Sequence, residues 1–491
     1  MMLTAYPQAA KPGIVRLWVG VWDTEAPSPV TISVNGSPAP AQVVKAMAPI
    51  RDGITGPGGG PFNHRAVFEI AGLPSDRPHR VRIDVGVESC ELSVQSLPDR
   101  IPDILDGTFN VMMCSCYYQP EDASGLLGTI VSQIMLRPHL TLMMGDQVYG
   151  DLPLLANLDA KGAARDLAQK YRRNWASERL GSGGLGSVLA AAPTLCIADD
   201  HEFWNNYPFE QAQLPPTWTV AGRDAWKRAA TELYEDFQLG DARAGDAQRI
   251  DVEPLKLLCL DTRSCRDEDF DALMPPSALK ALEKWADELV RAQGAARGPW
   301  FGVLVSGQAL FASPQADSRK RRVDAEMSNY EQFATGVLPQ LVRLADESIP
   351  VVYLTGDVHW GRVAQAVDVL SGRTLLHEVI ASPSRLIRVP LVDKGKEIGN
   401  AARGLFGRRD PWPRHSAPDD VPDWLSGGKR MRLQCDPARG IGLQQRGDQV
   451  AILSFCRAGG GVNFNASYYG ITPDKTMGRS LTTPTYELRV H

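Results

Sequence analysis

Five apolar runs in this 491-residue sequence end in residues that can bind cations or move protons. FNVMMCSC ends at Cys116, and LTLMMGDQVYGD carries Asp146 and Tyr149. TLCIADDH ends in Asp199, Asp200 and His201, LKLLCLDTR in Asp261 and Arg263, and PVVYLTGDVH in Asp357 and His359. A single aspartate after a strand is usually a turn or cap residue. Five such endings imply a shared edge, because layered sheets place strand carboxyl ends together and the loops there gather side chains from distant parts of a chain. That edge would hold several carboxylates, two imidazoles, a thiol and a phenol, which are ligands for hard and borderline cations.

The ordered set resembles the PhoD-like alkaline phosphatase group of the metallophosphoesterases. GDQVYGD is similar to its GDxxY motif, DDHE at 199–202 to its DDHE, DTR at 261–263 to its DxR, and GDVH at 356–359 to its late metal motif. CSCYYQ resembles the first motif, which makes Cys116 the matching thiol. The resemblance covers residues 110–385 and implies an α/β fold of the layered α+β kind, an αββα four-layer sandwich preceded by a small antiparallel β-sandwich. It also implies a multinuclear centre of Fe3+ and Ca2+. Carried over, Asp146 bridges the metals, Cys116 and Tyr149 hold the iron, Asp357 and His359 complete the cluster, and Asp200 takes a metal-binding position. His201 then flanks a phosphorylated substrate. The expected activity is hydrolysis of phosphate monoesters or diesters.

Physical chemistry supports these roles. Two metals about 3.5–4 Å apart clamp the attacking and leaving oxygens of an in-line phosphoryl displacement, and a bridging carboxylate holds such like charges together. A strand would fix Asp146, with Gly145 letting backbone and metal approach. A trivalent cation stabilises the Tyr149 phenolate and the Cys116 thiolate. His201, beside a ligand at Asp200, is placed to protonate the leaving oxygen. Arg263 offers a planar fork for two phosphate oxygens, with Arg266 as its assistant and Asn205 or Asn206 as a further phosphate contact. The bland alternatives are a buried structural thiol at Cys116, core histidines, and a surface pairing of Arg263 with Asp261 or Glu268. Mn2+, Zn2+ or Mg2+ would also suit an oxygen-rich site. A metallophosphoesterase fold degraded to a binding scaffold is the alternative function, against which the intact donors argue.

The elements that must position this edge follow from patterning. Residues 1–96 carry short alternating segments such as VRLWVGVW and HRVRIDVGVESCELSV, the signature of an antiparallel β-sandwich domain. A proline-bearing linker spans 97–109 and the catalytic domain 110–491. Helices are expected near 124–136, 160–177, 222–238, 276–293 and 322–347; in the third, Trp226, Ala230, Leu233 and Phe237 share one face. Residues 386–446, rich in Gly, Pro and Arg, read as an irregular lid. GSGGLGS at 181–187 contains GxGxxG without a preceding strand, so the dinucleotide reading fails and a loop is expected.

Composition bounds the partners. A charge of −5, with 43% hydrophobic and 22% charged residues, is that of a globular protein and leaves no electrostatic footprint for nucleic acid or an anionic membrane. With no apolar stretch of membrane-spanning length and no export signal visible, a cytoplasmic chain acting on a small phosphorylated substrate is expected. The eight cysteines show no CxxC, and Cys114, Cys196 and Cys259 lie within apolar runs, so a disulfide framework is not expected.

Overall fold

The computed structural model of the chain describes all residues except 76, 153–159, 295–297, 312–313, 324, 387–430, 435–442, 446, 473–476 and 491. Side-chain alternation along the strands builds the layers. In the strand Phe109–Cys114, the side chains of Phe109, Val111 and Met113 enter one core while Met112 and Cys114 enter another. The strand Leu140–Met144 does the same, with Leu140, Leu142 and Met144 on one side and Met143 on the other. Both are buried on two faces, as strands covered by a second sheet and by helices must be.

Among the described residues these strands lie in an 11-stranded sheet, where Phe109–Cys114, Leu140–Met144 and Thr194–Ile197 run parallel and adjacent. An 8-stranded sheet faces it and carries a second parallel set: Leu255–Cys259, Phe301–Val305, Val351–Thr355 and Thr374–Ile380. Leu257, Cys259, Val303, Val305, Val352 and Leu354 fill the space between the sheets.

Helices close both outer faces. Leu126–Gln133, Ala160–Trp175, Leu185–Ala191 and Val220–Phe237 contribute to the core on the larger sheet, and Pro276–Ala292 and Leu338–Asp346 to that on the smaller. The four residues expected on one face of the third helix, Trp226, Ala230, Leu233 and Phe237, are all buried. The layers are therefore α, β, β and α.

At the amino end, Met2–Gln8, Ile14–Trp22, His64–Ala71 and Gln42–Pro49 pair antiparallel in sequence across the larger sheet, which Met2–Gln8 joins through Gln8 opposite Thr194. A separate 4-stranded sheet includes Val30–Val34, His79–Val85 and Glu88–Val94, and packs on these strands through Ile32, Val81, Ile83 and Val85 against Leu3, Val15, Leu17 and Val19.

Two sequence expectations change. The helix expected over 322–347 is broken: Met327–Asn329 forms one 3-10 turn and Tyr330 is extended, with φ −92° and ψ 138°. Ser328 and Asn329 favour such turns, and the Tyr330 ring is buried against Phe270, so packing outweighs helical continuity. The loop expected at 181–187 ends early, because Leu185 starts a helix whose Leu185, Val188 and Leu189 are buried. The lid expected at 386–446 lies mostly outside the described residues, apart from the strands Met431–Gln434 and Leu443–Gln445 on the smaller sheet. Among the described residues no helix is long and apolar enough to cross a membrane.

Candidate metal centre

Because the central strands of both sheets run parallel, their carboxyl ends share one edge, and the chain turns there in conformations that most side chains avoid. Cys116, Asp146, Asp357 and His359 have φ of 54°, 58°, 64° and 57°. Each such left-handed residue costs of order 1–3 kcal/mol and persists only where its surroundings over-determine it. Two glycines permit the close approach of these turns. A Cβ on Gly145, whose φ is 92°, would lie 2.4 Å from the Asp199 Cβ. One on Gly356 would lie 2.4 Å from the Ser115 Cβ and 2.7 Å from the Met144 carbonyl oxygen. Gly145 thus makes room for Asp199, where the sequence suggested room for a metal.

Three groups of donor atoms overlap. Those of Cys116, Asp146 and His359 lie within 4.8 Å of one another, as do those of Asp146, Asp200 and His201, and those of Asp146, Asp199 and Asp357. Asp146 belongs to all three, as a bridging carboxylate would. The Cys116 Sγ is 3.4 Å from Asp146 Oδ2 and accepts from the Ser382 hydroxyl at 3.2 Å. Cys114, two residues away, points instead into the core beneath the helices. Tyr149 stacks its ring on His201 with centroids 4.1 Å apart, and its hydroxyl is buried without a hydrogen-bond partner among the described residues. Asp199 Oδ2 is likewise buried and unpartnered.

The electrostatics point the same way. Burial, reinforced by neighbouring carboxylates, pushes the Asp357 carboxyl well above its usual range; burial does the same to Asp146, against the opposing pull of His201. Burial, then the negative charge nearby, also pushes up the Cys116 thiol and the Tyr149 phenol. So many buried acids cannot ionise together without a compensating cation, and the orphaned phenol and carboxylate oxygen need something to coordinate. A bound cation meets both needs, so the residues fit a metal centre.

His201 is held on several sides. Its Nδ1 lies 2.7 Å from Asp151 Oδ1, its backbone N–H donates to Asp146 Oδ1 at 3.1 Å, and its carbonyl accepts from Gly150 N at 2.7 Å. Burial disfavours the imidazolium, but Asp151, Asp200 and Asp146 outweigh it and hold the pKa well above the usual histidine value.

Arg263 is fully buried and gives its Nε to Asp199 Oδ1 at 2.5 Å and an Nη1 hydrogen to the Tyr207 carbonyl at 3.2 Å. The surface pairings weighed for it do not form with its side chain: Glu268 takes Arg223, and Asp261 accepts the Arg263 backbone N–H. Arg266 is turned away to the carbonyls of Thr262 and Ala325 and to Gln308. Asn206 meets Asp200 Oδ2 and Asn205 meets Asp151 Oδ2, each through its backbone N–H.

Sequence reasoning gave no role to Asp151, Asp199 or Glu202 beyond their place in the motifs. Glu202 is buried and accepts the backbone N–H groups of Asp146, Gln147 and Asp199 at 2.8, 2.7 and 2.9 Å, so it ties the two acidic loops together. The signal was the D-x-x-E spacing of Asp199 and Glu202, which forms a capping box here.

The sequence model of the PhoD-like phosphatase family matches residues 109–385. A solved structure of PhoD is 14% identical, with a TM-score of 0.61, covering 99% of this chain and 92% of that chain. A second, GAP50, the anchor in the inner membrane complex of Plasmodium, is 9% identical over 79% of this chain and 90% of that chain, with a TM-score of 0.35. At these identities the PhoD likeness speaks to the fold. No curated protein matches the chain.

Proposed function

The chain belongs to the PhoD-like phosphatase family, and from that premise we propose that its metal centre hydrolyses phosphate monoesters or diesters of small substrates. The observation that carries this reading is the sharing of Asp146 by three overlapping donor groups. Cys116 and Tyr149, the thiol and phenol, suit a trivalent iron; Asp199, Asp200 and Asp357 suit an oxygen-preferring cation such as Ca2+. Bound cations supply Lewis acidity and lower the pKa of water.

The chain's own residues would then do the following. Asp146, common to the three donor groups, would hold the cations together. Asp151 keeps Nδ1 of His201 engaged, which leaves Nε2 to hold a proton for the departing oxygen. Arg263 acts through Asp199, whose position it fixes, in place of the direct phosphate contact expected of it. Glu202 locks the loops of Asp146 and Asp199 so that these groups need not reorganise during reaction.

The test joins elemental analysis of the purified protein to hydrolysis of p-nitrophenyl phosphate and bis-p-nitrophenyl phosphate. Stoichiometric metal with turnover of either ester is expected. Metal-loaded protein that cleaves neither would overturn the reading in favour of a binding scaffold.

A further inference from the structure

A small groove lies beside the helix Ala160–Trp175 and shares Tyr149 with the centre. Its floor is formed by Tyr118, Pro120, Val148, Tyr149 and Leu152, and its wall by Lys170, Arg173 and Asn174 of that helix. The floor belongs to the two loops that carry Cys116 and Asp146. Tyr149 is shared between groove and centre, stacking on His201 on one side and meeting the edge of Tyr118, with ring centroids 5.4 Å apart, on another.

The charges on the wall differ in availability. Lys170 is committed, donating to the Gly150 carbonyl at 2.7 Å and pairing with Asp166 at 2.8 Å. Asp151 is taken by His201. Arg172 points elsewhere, to Asp23 and over the Trp22 ring. Arg173 is exposed and lines the groove, and among the described residues no ion pair engages it. Three residues along the helix from Lys170, it stands about 4.5 Å further along the axis from the residue tied to Gly150. Burial, then the charge of Glu121 in the 3-10 turn Gln119–Asp122 that Tyr118 itself caps, raises the Tyr118 phenol.

We propose that Arg173 is a specificity-determining residue that recognises a second negative charge on the leaving group, so that the favoured substrates are phosphate esters of carboxylated or otherwise anionic alcohols. This rests on the phosphoester-hydrolase reading. A guanidinium with no ion pair among the described residues gains most from a carboxylate that arrives with the substrate, since a planar fork binds it through two hydrogen bonds.

The experiment compares kcat/KM for 4-carboxyphenyl phosphate and phenyl phosphate in the metal-loaded wild type, Arg173→Gln and Arg173→Glu. Dividing the two substrates' values within each protein, and then the variant's ratio by that of the wild type, cancels the intrinsic difference between the leaving groups. The ratio is expected to fall about tenfold in Arg173→Gln, the size of one charge-assisted contact, and further in Arg173→Glu. Ratios unchanged in both variants, with both substrates turned over, overturn the inference and leave the hydrolase reading standing. Turnover of neither substrate by the metal-loaded wild type overturns both. Circular dichroism of the variants verifies that this exposed position has not disturbed the fold.

Discussion

Asp151 Oδ1 and His201 Nδ1 lie 2.7 Å apart, and the other oxygen of that carboxylate accepts the Asn205 backbone N–H at 3.0 Å. The carboxylate is therefore anchored at both oxygens, and the imidazole is fixed between it and the Tyr149 ring. Asp151→Asn is expected to keep metal and lower kcat about a hundredfold, the scale of a misdirected acid–base group. His201→Ala is expected to keep metal and lose turnover. Adding Asp151→Asn to His201→Ala is expected to cost nothing more, since one residue acts through the other. Independent, multiplying losses in the double variant would contradict the coupling.

Asp146 is the member common to the three donor groups. Asp146→Asn is expected to lose metal and activity together, read by elemental analysis and ester hydrolysis on the same sample. Retained metal with full turnover would sink the bridging role.

Arg263 is buried against Asp199 at 2.5 Å. If it positions Asp199, Arg263→Ala lowers stability by about 3 kcal/mol, because a buried carboxylate loses its counter-ion, and weakens metal retention along with kcat. A rise confined to KM, with unchanged denaturation midpoint and metal content, would instead restore the direct phosphate contact.

Gly356 has the Ser115 Cβ and the Met144 carbonyl where its own Cβ would be. Gly356→Ala is expected to destabilise the fold by about 1–3 kcal/mol, as overpacking does, and to reduce activity by displacing Asp357. Urea denaturation and kinetics read the two effects, and an unchanged midpoint contradicts the packing argument.

His377 lies buried against Phe464 and Tyr486, ring centroids 5.0 and 5.2 Å away, with both ring nitrogens unpartnered among the described residues. Burial pushes its pKa from 6.5 down to about 3. The unfolded chain takes up a proton below about pH 6.5 while the folded chain does not, so the stability it contributes is complete above about 6.5 and is lost as pH falls toward about 3. His377→Phe is expected to lose about 2 kcal/mol less than the wild type between pH 7 and pH 5, measured by urea unfolding. Equal losses would show the ring is not held neutral.

The strand endings were legible because two-face burial requires uninterrupted apolar residues, and the polar residues that stop such a run stand out. For that reason Cys116, Asp146, Tyr149, His201, Asp357 and His359 stand out in the sequence as candidates, and the third helix is visible in the spacing of Trp226, Ala230, Leu233 and Phe237. The break at Met327–Asn329 was hidden, because it depends on where the Tyr330 ring packs and local propensity carries no record of that. The commitment of Arg263 to Asp199 was hidden for the same reason: a guanidinium matches phosphate and carboxylate equally well, and only the neighbouring strand supplies the carboxylate.

The sequence by itself determined which chemical groups stand at the ends of the strands, since residue type and periodicity are local properties of a chain. The tertiary structure alone decided which of those groups meet. Parallel pairing within each sheet and the facing of the two sheets bring residues more than two hundred positions apart to within a few ångströms, and left-handed turns at four of them set the direction of approach. Distance through space depends on packing across the whole fold, and no single stretch of sequence encodes it.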